Sequence, residues 1–174
     1  MTPQRALVCL GLAAACASAC ASGAPRVRVL PPRPGATSGV ERPVQPEAAA
    51  GAAIARTAET LLGAPYRDGG TLPDGFDCSG LVTYVFARHG VAVPRDVRRQ
   101  ASAGAPVERD GIAPGDLVFF ATTGSGPTHV GVAIGGGRFI HAPKSGDVVR
   151  IESMAATYWA SRFVTARRIP VPGV

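Results

Sequence analysis

Six prolines fall between Ser22 and Glu47, and that run decides which part of the chain can fold. A proline fixes its own φ, removes a hydrogen-bond donor and pushes the preceding residue out of the helical region. Neither a helical nor a strand period survives such a density. The stretch "SGAPRVRVLPPRPGATSGVERPVQPE" has few large apolar side chains and sets four arginines against two glutamates. We read residues 21–46 as a semi-extended, solvated tether. What folds must follow it. Residues 47–170 supply one domain of ordinary size, large enough to bury a core and free of internal repeats.

Ahead of the tether, "MTPQRALVCLGLAAACASACASG" has a positive Arg5, an apolar stretch from Ala6 to Ala15 and then small residues. That is the layout of a secretory signal over residues 1–20, too short in its apolar part for a mature spanning helix. "ASAC", ending at Cys20, resembles the lipobox of bacterial lipoproteins, with alanine where leucine is usual. "AAAC", ending at Cys16, is a second candidate, and ordinary cleavage after Ala21 a third. Acylation of Cys20 would hold the protein to a membrane, since each buried CH2 contributes about 0.8 kcal/mol.

The formal charge of +6 suits acidic partners. Yet the arginines are scattered, aromatic residues are few and no groove-reading motif occurs, so no nucleic-acid partner is expected. A monomer is expected.

Within the domain, apolar spacing predicts a helix over Glu47–Leu62, with Ile54, Ala58, Leu61 and Leu62 on one face and Gly63 at its end. A second helix runs from about Cys78 to His89, capped by Asp77 and stopped by Gly90. A short helix is expected in "VPRDVRRQASAG" and another near Ala155–Trp159. Strands are expected at 116–120, 129–135, 138–142, 148–152 and 163–169. Helices first and strands afterwards indicate an α+β domain, its helices packed on one antiparallel sheet.

Cys78 is the only cysteine of this domain, because Cys9, Cys16 and Cys20 belong to the signal. Exported proteins normally pair their cysteines, so a lone one is an intermolecular bridge or a reactive thiol, with a buried small hydrophobe as the competing reading. Its place at a helix start favours the thiolate and leads us to expect a lowered pKa. A thiolate needs a base. His89 lies about 16 Å along the helix axis from Cys78 and is too far. His129 and His141 are better placed. "HVGVAIGGGRFIHA" reads as a hairpin turning at Gly135–Gly137; pairing Ile134 with Arg138 sets His141 opposite Gly131 and puts both histidines on one face. A metal is the competing use of Cys and His. No Cys-x-x-Cys or His-Glu-x-x-His spacing occurs, and neither a metal nor a cofactor is expected.

"GFDCSGLVTYVF", "PGDLVFF", "HVGVAIGGGRFIHA" and "GAPYRDGG" together resemble the NlpC/P60 family of bacterial cell-wall cysteine peptidases, in order from about Leu62 to Arg168. The resemblance implies a papain-like α+β fold, a helix-borne cysteine facing a small antiparallel sheet, and hydrolysis of amide bonds in peptidoglycan stem peptides, often next to diaminopimelate. It makes Cys78 the nucleophile, His129 its base and His141 the third polar residue. Tyr66 lines the site and helps hold the oxyanion. Asp77 and Ser79 shape the helix start, with a secondary role against substrate amines. Arg95 is expected in a structural salt bridge. Asp68 stands where an aromatic is frequent, and "HVGVAIG" departs slightly from the familiar pattern; both bear on substrate contacts. No wall-binding module of LysM or SH3 type accompanies the domain, so positioning at the wall falls to anchor and tether. Two alternatives stay open: an amidase or acyltransferase using the same thiol chemistry on another substrate, or a catalytically silent wall-binding scaffold.

Overall fold

The computed structural model describes residues 45–172. The signal, Cys16, Cys20 and residues 21–44 of the tether lie outside them. In chain order the elements are α1 (Pro46–Glu59), β1 (Thr71–Leu72), β2 (Gly75–Phe76), α2 (Cys78–Ala87), α3 (Val97–Gln100) and β3 (Ala105–Val107). A 3-10 turn at Arg109–Gly111 follows, then β4 (Leu117–Phe120), β5 (His129–Gly135), β6 (Arg138–His141), β7 (Arg150–Ser153), α4 (Thr157–Ala160) and β8 (Phe163–Arg168). Six strands form one antiparallel sheet in the order β3-β8-β4-β5-β6-β7, and β1 and β2 form a separate hairpin.

Alternation along the strands divides the core into two layers. Leu117, Phe119, Val130, Val132 and Ile140 pack against Ile54 and Ala58 of α1 and Leu81, Val82, Val85 and Phe86 of α2. Val118, Phe120, Ala133, Phe139 and Ala166 gather around Trp159 of α4. The sheet is therefore covered on both sides. This is why β4 reads as the unbroken run Leu117-Val118-Phe119-Phe120, all buried, rather than as an alternation.

Asp77 caps α2 as expected: its Oδ1 accepts the Gly80 N–H at 2.7 Å. Gly80 itself is there for space, since a Cβ on it would lie 1.9 Å from the Gly70 carbonyl oxygen. The loop carrying Gly70 thus lies directly on the first turn of α2. At the other end His89 accepts or donates a hydrogen bond of 2.8 Å with Thr57, tying α2 to α1, so it is more than a surface residue.

Four features were not legible in the sequence. α1 ends at Glu59, and Leu62 is 44% exposed rather than on the buried face. The Gly-rich loop holds the β1–β2 hairpin. β3 is a three-residue edge strand containing Pro106, where proline is tolerated. β7 begins two residues late, at Arg150.

The β5–β6 turn differs in detail from the expectation and agrees in consequence. Val132 pairs with Ile140 and Ala133 with Phe139, but Gly135 pairs with Arg138 and Ile134 is bulged out. The loop is the two-residue Gly136–Gly137, with φ of 60° and 68°, a left-handed pair that glycine adopts without strain. One bulged residue plus a two-residue turn gives the same offset as a three-residue turn. His129 and His141 keep the same face.

Candidate active site

The two histidines meet at one end of the sheet. His129 Nε2 and His141 Nδ1 are 2.7 Å apart, with the rings nearly perpendicular at 86°. Gly131 separates them on that face, and its lack of a side chain allows the approach: a Cβ there would lie 2.5 Å from Phe139 and 2.8 Å from the Ile140 carbonyl oxygen. Trp159 closes the pair from the other side, its ring centroid 5.6 Å from that of His129 and 4.9 Å from that of His141. His141 is fully buried and His129 nearly so. Sequence reasoning missed Trp159. Its only signal was one tryptophan in a short amphipathic segment.

Cys78 is half-buried at the first position of α2, where α2 packs on β5. The start of α2 is pinned by a cluster of polar side chains. Arg95 donates to both Asp77 and Ser79, Asp77 Oδ2 also accepts the Gly69 N–H at 3.0 Å, and Ser79 donates to Asp77 Oδ1 at 3.4 Å. Buried Gln100 adds a donor from below, reaching the Ser79 carbonyl at 3.2 Å and the Pro94 carbonyl at 2.7 Å. Asp77, Ser79 and Arg95 therefore occupy one another. Tyr66 packs against the same core as Cys78, and its hydroxyl donates to Asp68 Oδ1 at 2.9 Å.

The electrostatics overturn one expectation. Burial pushes the Cys78 thiol above its ordinary value and the Asp77 carboxylate adds to this, while the Val130 and Ser79 N–H groups and Arg95 pull it back. The helix start was expected to lower it. Asp77 offsets that field, because its carboxylate sits over the first turn and takes the Gly80 N–H. Burial lowers His129 to about 4 and depresses His141 further, with the neighbouring His129 and Arg150 adding to the effect. The resting site is thus a neutral thiol beside two neutral imidazoles. Burial, then Asp68, pushes the Tyr66 phenol up, so it stays a proton donor. Among the described residues no group of three or more His, Cys, Asp or Glu is arranged to hold a metal ion.

A half-buried cysteine at a helix start, packed on an antiparallel sheet that carries a coupled histidine pair, defines the papain-like α+β class. The NlpC/P60 family pattern matches residues 63–168, and the chain belongs to the NlpC/P60 family. It is 43% identical over 116 residues to murein DD-endopeptidase MepH of Escherichia coli (strain K12), covering 64% of this chain and 43% of that one. It is 40% identical over 117 residues to the gamma-D-glutamyl-L-lysine dipeptidyl-peptidase of Bacillus subtilis (strain 168), covering 66% and 40%. The chain therefore spans less than half the length of these relatives. The crystal structure of an NlpC/P60 family protein from Bacillus cereus superposes with a TM-score of 0.66 at 35% identity, over 70% of this chain and 40% of that one.

Proposed function

We propose that this protein is a peptidoglycan hydrolase, a cysteine peptidase that cleaves amide bonds in stem peptides. The observation that carries the reading is the 2.7 Å bond between His129 Nε2 and His141 Nδ1 on a sheet end against which Cys78 is packed. That bond commits Nε2 of His129 to His141 and leaves Nδ1 to serve the thiol. His129 then donates its Nε2 proton to His141, and His141 carries its own proton on Nε2, which has no hydrogen-bond partner among the described residues. The names of the relatives, a murein DD-endopeptidase and a gamma-D-glutamyl-L-lysine dipeptidyl-peptidase, support the substrate class.

The resting neutral pair sets the order of steps. His129 Nδ1 takes the proton from Cys78 Sγ as the sulfur attacks the scissile carbonyl. The oxyanion meets the Cys78 N–H at the start of α2, a donor commonly worth about 2.7–4 kcal/mol, and Tyr66 joins it by turning its hydroxyl from Asp68. His129 hands its proton to the departing amine, and water then hydrolyses the thioester with His129 again as base. Incubated with defined muropeptides, the protein releases fragments whose masses locate the cut. Because His129 stays neutral down to about pH 4, kcat/KM holds level through neutral pH and falls only as that value is approached. Unchanged masses with every muropeptide overturn the reading.

The same reading puts the domain at the cell envelope, carried by an acylated Cys20 with residues 21–46 as spacer. A fatty-acid analogue fed to producing cells labels the wild type and not Cys20→Ala. Equal labelling of the two rules Cys20 out and turns attention to Cys16.

A further inference from the structure

A cleft of about 480 Å³ opens from His129, walled by Lys144, Asp147, Arg150, Glu152, Tyr158 and Trp159 among others. Neither Cys78 nor Tyr66 belongs to its walls. That placement has a chemical meaning in a thiol hydrolase. The acyl half of the substrate ends on the sulfur, whereas the departing amine takes its proton from His129. The half that leaves must lie on the His129 side, and this cleft is the space there.

The charges in the cleft are unequally spent. Arg150 lies between two carboxylates, bonding Asp147 Oδ1 through Nη1 and Glu152 Oε1 through Nε, each at 2.9 Å. Those three groups sum to one negative charge and hold one another in place. Lys144, the single lysine of the chain, is exposed and makes no ion pair among the described residues. It is the one cationic side chain of the wall without a carboxylate partner.

We propose that this cleft is the leaving-group subsite and that it selects a departing amine whose own moiety carries a free carboxylate, paired with Lys144. The proposal rests on the hydrolase reading above. The carboxylate–arginine–carboxylate cluster repels that anion from the β7 side, so the attraction is directed at Lys144 alone. The departing amine, protonated as it leaves, faces the cluster's net negative charge. A leaving half that is neutral at this point finds the lysine solvated and gains nothing from it.

The test uses two stem-peptide fragments identical except that the leaving residue's carboxyl group is free in one and amidated in the other. A solvent-screened pair of this kind predicts that the wild type cleaves the free acid about two- to fivefold faster in kcat/KM at low salt. The preference shrinks as ionic strength rises, because the Debye length falls to about 3 Å at 1 M. In Lys144→Gln the ratio falls toward one, and in Lys144→Glu it inverts in favour of the amide. Lys144 is exposed, so neither change disturbs the core. Equal rates on the two fragments by the wild type, or an unchanged ratio in Lys144→Glu, overturn the subsite. Failure of the wild type to cut either fragment, or any other muropeptide, removes the hydrolase reading and the subsite with it.

Discussion

His129→Ala is expected to abolish turnover as fully as Cys78→Ala, on the order of 10⁴-fold or more in kcat, because no other group can take the thiol proton. The neutral resting pair makes this dependence stronger. With the thiol pushed up by burial, little thiolate exists before His129 removes the proton. His141 acts through His129 and is a positioning residue. His141→Asn keeps an acceptor for the His129 Nε2–H and should retain measurable activity. His141→Ala leaves that N–H unpaired in a buried place and opens a cavity beside Trp159, so it should lose more. Groups acting as a unit are non-additive, and His129→Ala/His141→Ala should be hardly worse than His129→Ala alone. The measurement is kcat/KM of each folded variant on one muropeptide. A dead His141→Ala beside an active His129→Ala would reverse the two roles, and activity in both would dissolve the assignment.

Gly131→Ala should separate the histidines without touching either. Its new methyl group would lie 2.5 Å from Phe139 Cδ2, 2.8 Å from the Ile140 carbonyl oxygen and 3.3 Å from His141 Cβ. Phe139 is locked between Phe120 and Trp159, at centroid distances of 4.9 and 5.0 Å, and Ile140 contributes backbone, so β6 must yield. Overpacking of this kind costs about 1–3 kcal/mol. The His129–His141 bond lies one residue from the wedge and is the contact a shift of β6 breaks first. The expected result is a lowered Tm together with a fall in kcat that leaves KM near its wild-type value. Native stability and full activity in Gly131→Ala would show that the strand pair absorbs the methyl group and that the histidines tolerate the shift.

Much of the site could be read from residue order because its determinants are local. Period-two alternation put His129 and His141 on one face, and even a mistaken turn did no harm. The glycines allowed either a three-residue loop or a bulge with a two-residue loop, and both give the same offset. Asp77 before an apolar helical period located the start of α2 and with it Cys78. Elements lacking a period were missed for the same reason: the β1–β2 hairpin has two residues per strand, and β3 contains a proline.

Residue order alone was enough to show that Cys78 opens a helix and that two histidines share a strand face. Turn chemistry, capping and side-chain alternation act over a few residues and need no partner. What those groups are at rest depends on long-range packing. Trp159 comes from α4, beyond β7, and Arg95 from the segment after α2. Which of these covers, pairs with or repels a titrating group depends on how the layers pack. Burial raises the thiol and lowers both imidazoles, and burial exists only once Trp159 and the sheet have closed over the site.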